Sequence, residues 1–317
     1  MTHEGKTESN AATKAAQPVS AATLRRVVAG VRGRSVFHEP LQKYTSFRIG
    51  GPADVLVEPV DIDDVALLVR QATVNRVRIF VLGGTNLLIR DGGIRGVVMS
   101  LSKLRVIREE PGHVLYAEGG VGMPTLIGYA IRRGLSGLEW GAGIPGTVAG
   151  CVVMNAGTRL GEMKDAVQAV RLVTPKGEVA EIDASDIEFE YRHARLPRGV
   201  VVGVRLQLRA GVRASIEKTV KDYLQYRKET QPLAQASAGC VFRNPPRDSA
   251  GRLVEAAGLK GARVGDAQVS EKHANFMVNL GHARATDVLD LIKKVRREVR
   301  RKTGVSLDLE LKVVGEA

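Results

Sequence analysis

"RIFVLGGTNLLIRDGGIRGVVMSL", residues 78–101, decides how the first half of the chain is read. A short apolar run enters Gly83-Gly84-Thr85-Asn86, an apolar step follows, and a second glycine turn at Gly92-Gly93 opens another apolar run. Short aliphatic runs cut by glycine pairs predict strands joined by tight turns. Backbone N–H groups in such a turn can converge on an anion, and the missing Cβ atoms let a ligand approach the main chain. A second segment of this kind is "GAGIPGTVAGCVVMNAG", residues 141–157, where Gly143, Gly146 and Gly150 leave the backbone open and Thr147 can donate to an oxygen.

Neither segment contains GxxxxGK[ST], and no GxGxxG opens a helix after a strand, so a P-loop and a Rossmann fold are disfavoured. One such loop alone reads equally as a plain tight turn. Two long ones in one half of the chain point to a large phosphate-bearing cofactor. Cys151, beside Val152 and Val153, reads as a small core residue.

Working outward, "YTSFRIGGPADVLVE" (44–58) predicts strands around a Gly-Gly-Pro bend. "DIDDVALLVRQATVN" (61–75) predicts an amphipathic helix capped by Asp61, and "MPTLIGYAIRRG" (123–134) a helix with Pro124 in its first turn and Gly134 at its stop. Hairpins are expected around Pro111-Gly112 and around Pro175-Lys176-Gly177. From Ser215 onward the pattern changes to a helix, a cysteine loop, a strand near "NFMVNL" (275–280), a basic helix and a last strand.

Composition bounds the class. With 317 residues, 35 glycines and few aromatics, the chain suits a loop-rich α/β or α+β protein of two or three subdomains. No apolar run approaches the ~20 residues of a membrane span. Two cysteines cannot build a disulfide framework, so the expected location is the cytoplasm. The polar opening, residues 1–22, is expected to be a disordered tail. The net charge of +13 is densest in "KKVRREVRRK" (293–302). It reads as a nucleic-acid surface or as a solvated helix face; no helix-turn-helix, zinc finger or aromatic-basic ladder accompanies it, so no nucleic-acid partner is expected. The six histidines show no HxH or HExxH spacing and no CxxC exists, so no metal is expected; G-x-S-x-G is also absent.

Seven blocks in order, "YTSFRIGGPA", "VLGGTNLLIRDGGIRGVV", "GLEWGAGIPGTVAGCVVMNAG", "EYRHARLP", "AGCVFRNPP", "AGLKGARVGDAQVSEKHANFMVN" and "LDLELKVVG", resemble the UDP-N-acetylenolpyruvoylglucosamine reductase (MurB-type) family across residues 40–315. The resemblance implies an α+β protein: a two-subdomain FAD-binding fold of the vanillyl-alcohol-oxidase type, followed by an α+β substrate-binding domain. The expected boundaries are 23–105, 106–213 and 214–317. The direct passage from Arg192 through "ARLPRGVVVGVRLQL" leaves little room for the extra tyrosine-bearing loop of one variant class, so the chain resembles the shorter type.

By the same resemblance, Gly83, Gly84, Thr85, Asn86, Leu87, Gly143, Ile144, Pro145, Gly146, Thr147, Gly150, Asn155, Ala156 and Gly157 hold FAD, non-covalently for want of a suitable histidine. The implied reaction has two halves. NADPH reduces the flavin, and the enolpyruvyl group of the UDP-sugar then takes hydride at C3 and a proton at C2. Arg192 and Glu310 are implied to polarise the carboxylate and the residue at 240 to give the proton. That position is commonly serine in the family and is cysteine here. A free thiol has a pKa near ~8.5, is softer than a hydroxyl and is oxidisable. Tyr226, Arg227, Gln231, Asn244, Lys260, Gln268 and Ser270 are candidates for the substrate, each equally readable as a surface group.

Strand alternation is expected to put Arg192 opposite Ile187, Phe189 and Tyr191 in "IEFEYR", and Glu310 opposite Val305, Leu307, Leu309 and Leu311 in "VSLDLELKV". By pattern alone both are solvent-facing polar edges. The nearest rival reading is another FAD oxidase on the same cofactor domain.

Overall fold

The computed structural model describes residues 19–317. Helix α1 (Ala21–Val27) begins inside the segment expected to be a tail: the Ser20 side chain accepts the Thr23 N–H, and Leu24 and Val27 are buried. Residues 1–18 of that expectation lie outside the described residues.

The first sheet has the order Arg34–Phe37, Ala53–Glu58, Ile94–Ser100, Ile79–Leu82, antiparallel at the first pair and parallel at the next two. Its central strands are buried along almost their whole length, so the alternation expected over 44–58 marks no solvent face, and only Ala53–Glu58 of that stretch is a strand. Helix α2 (Ile62–Val74) is capped as expected, the Asp61 side chain accepting the Asp64 N–H, and buries Val65, Leu68, Val69 and Ala72.

The second sheet is antiparallel throughout: Val179–Asp183, Val167–Val173, Val200–Gln207, Val114–Glu118, Ile107–Glu110. Both expected hairpins are present in it, with Gly112 (φ 78°) and Gly177 (φ 81°) taking the left-handed turn positions. Helix α3 (Met123–Arg132) carries Pro124 in its first turn and is followed by Gly134 at φ 65°. Helix α4 (Val148–Val153) buries Val148, Ala149, Cys151 and Val152.

Helix α5 (Arg213–Thr230) leads into a third, antiparallel sheet ordered Ala236–Cys240, Phe276–Asn279, Ala267–Val269, Arg263–Val264. Helix α6 (Ala250–Ala256) and α7 (Ala285–Thr303) pack beside it, and α7 buries Val288, Leu291, Ile292, Val295 and Val299 while its arginines and lysines face outward.

Packing crosses the divisions drawn from sequence in several places. Val220 and Tyr223 of α5 join the core of the first two sheets, not the third. Phe47, Ile49 and Leu88 from the N-terminal part are buried in the core of the third. Lys312–Val314 returns to pair in parallel with Leu87–Ile89. Asp91 caps α7 from 194 residues away, its carboxylate accepting the N–H groups of Ala285 (3.0 Å) and Thr286 (3.1 Å). No helix among the described residues is long and apolar enough to cross a membrane.

Candidate active site

The two glycine segments meet. Thr147 caps α4, its Oγ1 accepting the Gly150 N–H. Both its backbone N–H (3.1 Å) and its hydroxyl (3.2 Å) donate to the carbonyl of Gly83. Gly150 is the position where this approach demands glycine: a Cβ there would lie 2.3 Å from the Gly83 oxygen. Gly84 and Thr85 keep backbone N–H groups without an acceptor among the described residues. A glycine turn with spare donors, held against a helix start, suits a diphosphate.

These loops form one wall of a cavity of about 780 Å³, lined by Gly83, Gly84, Thr85, Asn86, Gly143, Ile144, Pro145, Gly150, Ala156 and Gly157. Four other predicted cofactor residues stand behind that wall. Leu87 is buried in a strand, Gly146 accepts the Met123 N–H, and Thr147 is the helix cap just described. Asn155 is 1 % exposed and donates to Glu162 (2.8 Å) and to the Glu190 carbonyl (3.0 Å).

Arg192, Cys240 and Glu310 line the same cavity, with Tyr226, Arg227, Gln231 and Asn244. Arg192 does not lie on a strand. Strands Glu188–Glu190 and His193–Arg195 form a hairpin, and Arg192 occupies its two-residue turn at φ 60°, a left-handed conformation that costs a non-glycine residue. Its Nε lies 3.1 Å from Glu310 Oε1, and the guanidinium covers the Tyr191 ring at 4.8 Å. The predicted strand over 305–313 is likewise shorter. Residues 305–311 alternate buried and open positions but form only one isolated bridge, Leu309 to Phe242. Glu310 is held through its backbone: its N–H donates to the Val241 carbonyl at 2.9 Å, and its carbonyl accepts Asn86 Nδ2 at 3.2 Å.

Cys240 ends strand Ala236–Cys240 rather than sitting in a loop. The register slips between Ser237 and Cys240, and Gly239 takes φ 77° with open space where a Cβ would be. A bulge of this kind re-aims the following side chain. Burial, with Glu310 adding to it, pushes the Cys240 thiol up to about 12, against the lowering pull of Arg192 and Arg227. Burial thus holds the Cys240 proton more tightly than a free thiol would hold it. Burial raises the Glu310 carboxyl too, opposed by Arg192.

Arg227 is 8 % exposed and has no carboxylate partner among the described residues. It donates to the Ala142 carbonyl and to Gln231 Oε1, and burial lowers its pKa. Lys260, Gln268 and Ser270 lie outside the cavity: Lys260 pairs with Glu255, Gln268 donates to the Gly261 carbonyl, and Ser270 accepts the Lys272 and His273 N–H groups. Local composition cannot reveal that these groups are already engaged.

Missed by the sequence reading, His273 lines the cavity with its ring edge-on to Phe276 at 4.8 Å. Burial lowers its pKa, and Nδ1 accepts the Asn275 N–H, which leaves the proton of the neutral ring on Nε2. Ser46, Arg48, Arg159 and Tyr223 also line the cavity and carried no local pattern that marked them.

One cavity thus joins a glycine turn suited to a diphosphate with the Arg192, Glu310 and Cys240 side chains. Residues 53–183 match the family described as "FAD binding domain", and residues 231–314 match "UDP-N-acetylenolpyruvoylglucosamine reductase, C-terminal domain". UDP-N-acetylenolpyruvoylglucosamine reductase 2 of Symbiobacterium thermophilum is 46 % identical over 89 % of this chain and 93 % of its own length. The reductase of Syntrophus aciditrophicus is 42 % identical over 90 % of this chain and 94 % of its own length. The crystal structure of the Thermus caldophilus reductase superposes with a TM-score of 0.77 at 38 % identity, covering 89 % of this chain and 98 % of that one. The chain belongs to the UDP-N-acetylenolpyruvoylglucosamine reductase family.

Proposed function

We propose that this protein reduces the enolpyruvyl group of UDP-N-acetylenolpyruvoylglucosamine to the lactyl ether of UDP-N-acetylmuramate, with NADPH as reductant, in peptidoglycan synthesis in the cytoplasm. FAD, held at the loops of Gly83, Gly84, Thr85, Gly143 and Gly150, would supply the hydride that C3 of the enolpyruvyl group needs, with NADPH as its source. Hydride at C3 pushes an electron pair onto C2 and its carboxylate, so the protein has to bind an enolate and deliver a proton. The observation that carries the reading is the 3.1 Å contact of Arg192 with Glu310 on the cavity wall that also holds Cys240.

The Arg192 guanidinium binds the carboxylate as charge grows there, and Glu310, beside it at 3.1 Å and shifted by burial toward its hydrogen-bond-donating form, helps polarise that carboxylate. Cys240 gives its S–H proton to C2. Burial favours the protonated thiol, and the enolate of a carboxylate is the stronger base. Arg192 and Arg227 stabilise the thiolate left behind until water returns the proton. Arg227, with Gln231 and Asn244, grips the diphosphate and sugar; a buried cation without a carboxylate is matched to an anion that arrives with the ligand.

Anaerobic two-step mixing tests the proposal. NADPH should bleach the flavin and the UDP-sugar should restore its colour. Cys240→Ala should leave the first step intact and slow the second at least ~100-fold, the usual contribution of a positioned acid. Cys240→Ser should keep turnover. Normal reoxidation in the alanine variant removes Cys240 from the mechanism.

A further inference from the structure

Arg159 stands in the turn between Gly157-Thr158 and Gly161-Glu162, on the rim of the same cavity. Its guanidinium lies 4.2 Å from the centroid of the Tyr226 ring. Tyr226 in turn stacks on Tyr223, with centroids 6.1 Å apart and planes 15° from parallel. Among the described residues Arg159 has no carboxylate partner, and its guanidinium is met by the ring face. The neighbouring cation, Arg227, also lacks a carboxylate. On the same cavity, Arg192 by contrast pairs with Glu310. Arg159 and Arg227 therefore both line the cavity with no carboxylate partner among the described residues.

We propose that Arg159 is a further substrate-positioning residue, the outer half of a two-arginine grip on the diphosphate of a bound nucleotide, pre-ordered by stacking on Tyr226. The inference rests on the function proposed above. A diphosphate carries charge enough for both cations. The planar fork of arginine can lie flat on an aromatic ring and still direct N–H donors at phosphate oxygens. Stacking holds that fork in place before the ligand comes, so less side-chain freedom is lost on binding. NADPH and the UDP-sugar share this chemistry, and the two half-reactions separate them.

The test uses the FAD-loaded full chain carrying Arg159→Ala, Arg159→Lys, Tyr226→Phe or Tyr226→Leu, with half-saturation measured separately for reduction by NADPH and reoxidation by the UDP-sugar. The alanine variant should raise half-saturation for the UDP-sugar about tenfold or more, as expected for one lost charge-assisted hydrogen bond. Lysine should recover part of the loss, phenylalanine should retain the grip and leucine should loosen it. If the shift falls on NADPH instead, the grip serves that diphosphate. Changes below twofold in both half-reactions, with the flavin spectrum intact, overturn the proposal. If the unaltered enzyme fails to reoxidise with the UDP-sugar, the function reading is at fault, and the NADPH half-reaction alone decides on Arg159.

Discussion

Replacing Gly150 with alanine sets two effects against each other. Alanine inside a helix is normally favoured over glycine by about 0.5–1 kcal/mol, so a reading from helix propensity alone has the variant more stable. The structure gives the opposite sign. The new Cβ would sit 2.3 Å from the Gly83 oxygen, 2.5 Å from its carbonyl carbon and 2.9 Å from the Gly84 nitrogen, all backbone atoms that no rotamer change can move. Ordinary contact begins at 3.4 Å, so the glycine turn and α4 must part by about 1.1 Å. Overpacking of that kind costs about 1–3 kcal/mol. The separation also breaks the two hydrogen bonds from Thr147 to the Gly83 carbonyl, at about 0.5–1.5 kcal/mol each. The costs win, and a net loss of about 3 kcal/mol is expected, with the turn displaced from the position that suits a diphosphate. Urea denaturation of the apoprotein measures the first effect, and FAD released on dilution, followed by its fluorescence, measures the second. An alanine variant as stable as the parent and retaining FAD would refute the argument that these two loops are locked together.

Cys151 and Cys240 are both raised to about 12 by burial, so folding holds their protons more tightly than the unfolded chain does. The stability this contributes is complete below pH ~8.5 and is lost as pH climbs toward 12, by up to ~1.4 kcal/mol per pH unit per thiol. Cys151→Ala should lower the slope of stability against pH between 9 and 11 by that amount, and an unchanged slope would show the thiol to be solvated. Arg227→Met removes a buried charge that has no carboxylate partner. Its denaturation midpoint should not fall, because the lost hydrogen bonds are offset by relief of desolvation, while affinity for UDP drops tenfold or more. A lowered midpoint with unchanged UDP binding would make Arg227 structural. Asp91→Ala leaves two N–H groups at the start of α7 without their acceptor and should cost about 1–2 kcal/mol in a urea titration.

Much of the local structure was readable because it follows from neighbours along the chain. Asp61 three residues before an N–H it can accept, Pro124 in a first turn, and glycines at 112, 134 and 177 each act over a few residues. The two phosphate-suited segments were readable for the same reason. Alternation misled where a strand stopped. "IEFEYR" keeps its period of two through Arg192, yet the hairpin turns at Tyr191–Arg192, and nothing local separates a strand residue from the turn that closes it. Residues 305–311 alternate because one side packs on the third core, although almost no ladder forms.

By itself, then, the order of residues determined the elements, the two glycine loops and the family likeness, since propensity and periodicity are short-range. Only the tertiary structure decided which polar groups share a cavity. Arg192 and Glu310 lie 118 residues apart, Lys260 is taken by Glu255, and Arg227 has no counter-ion among the described residues. Those outcomes depend on how sheets pack and on how much water each group loses, quantities set by every surrounding residue at once.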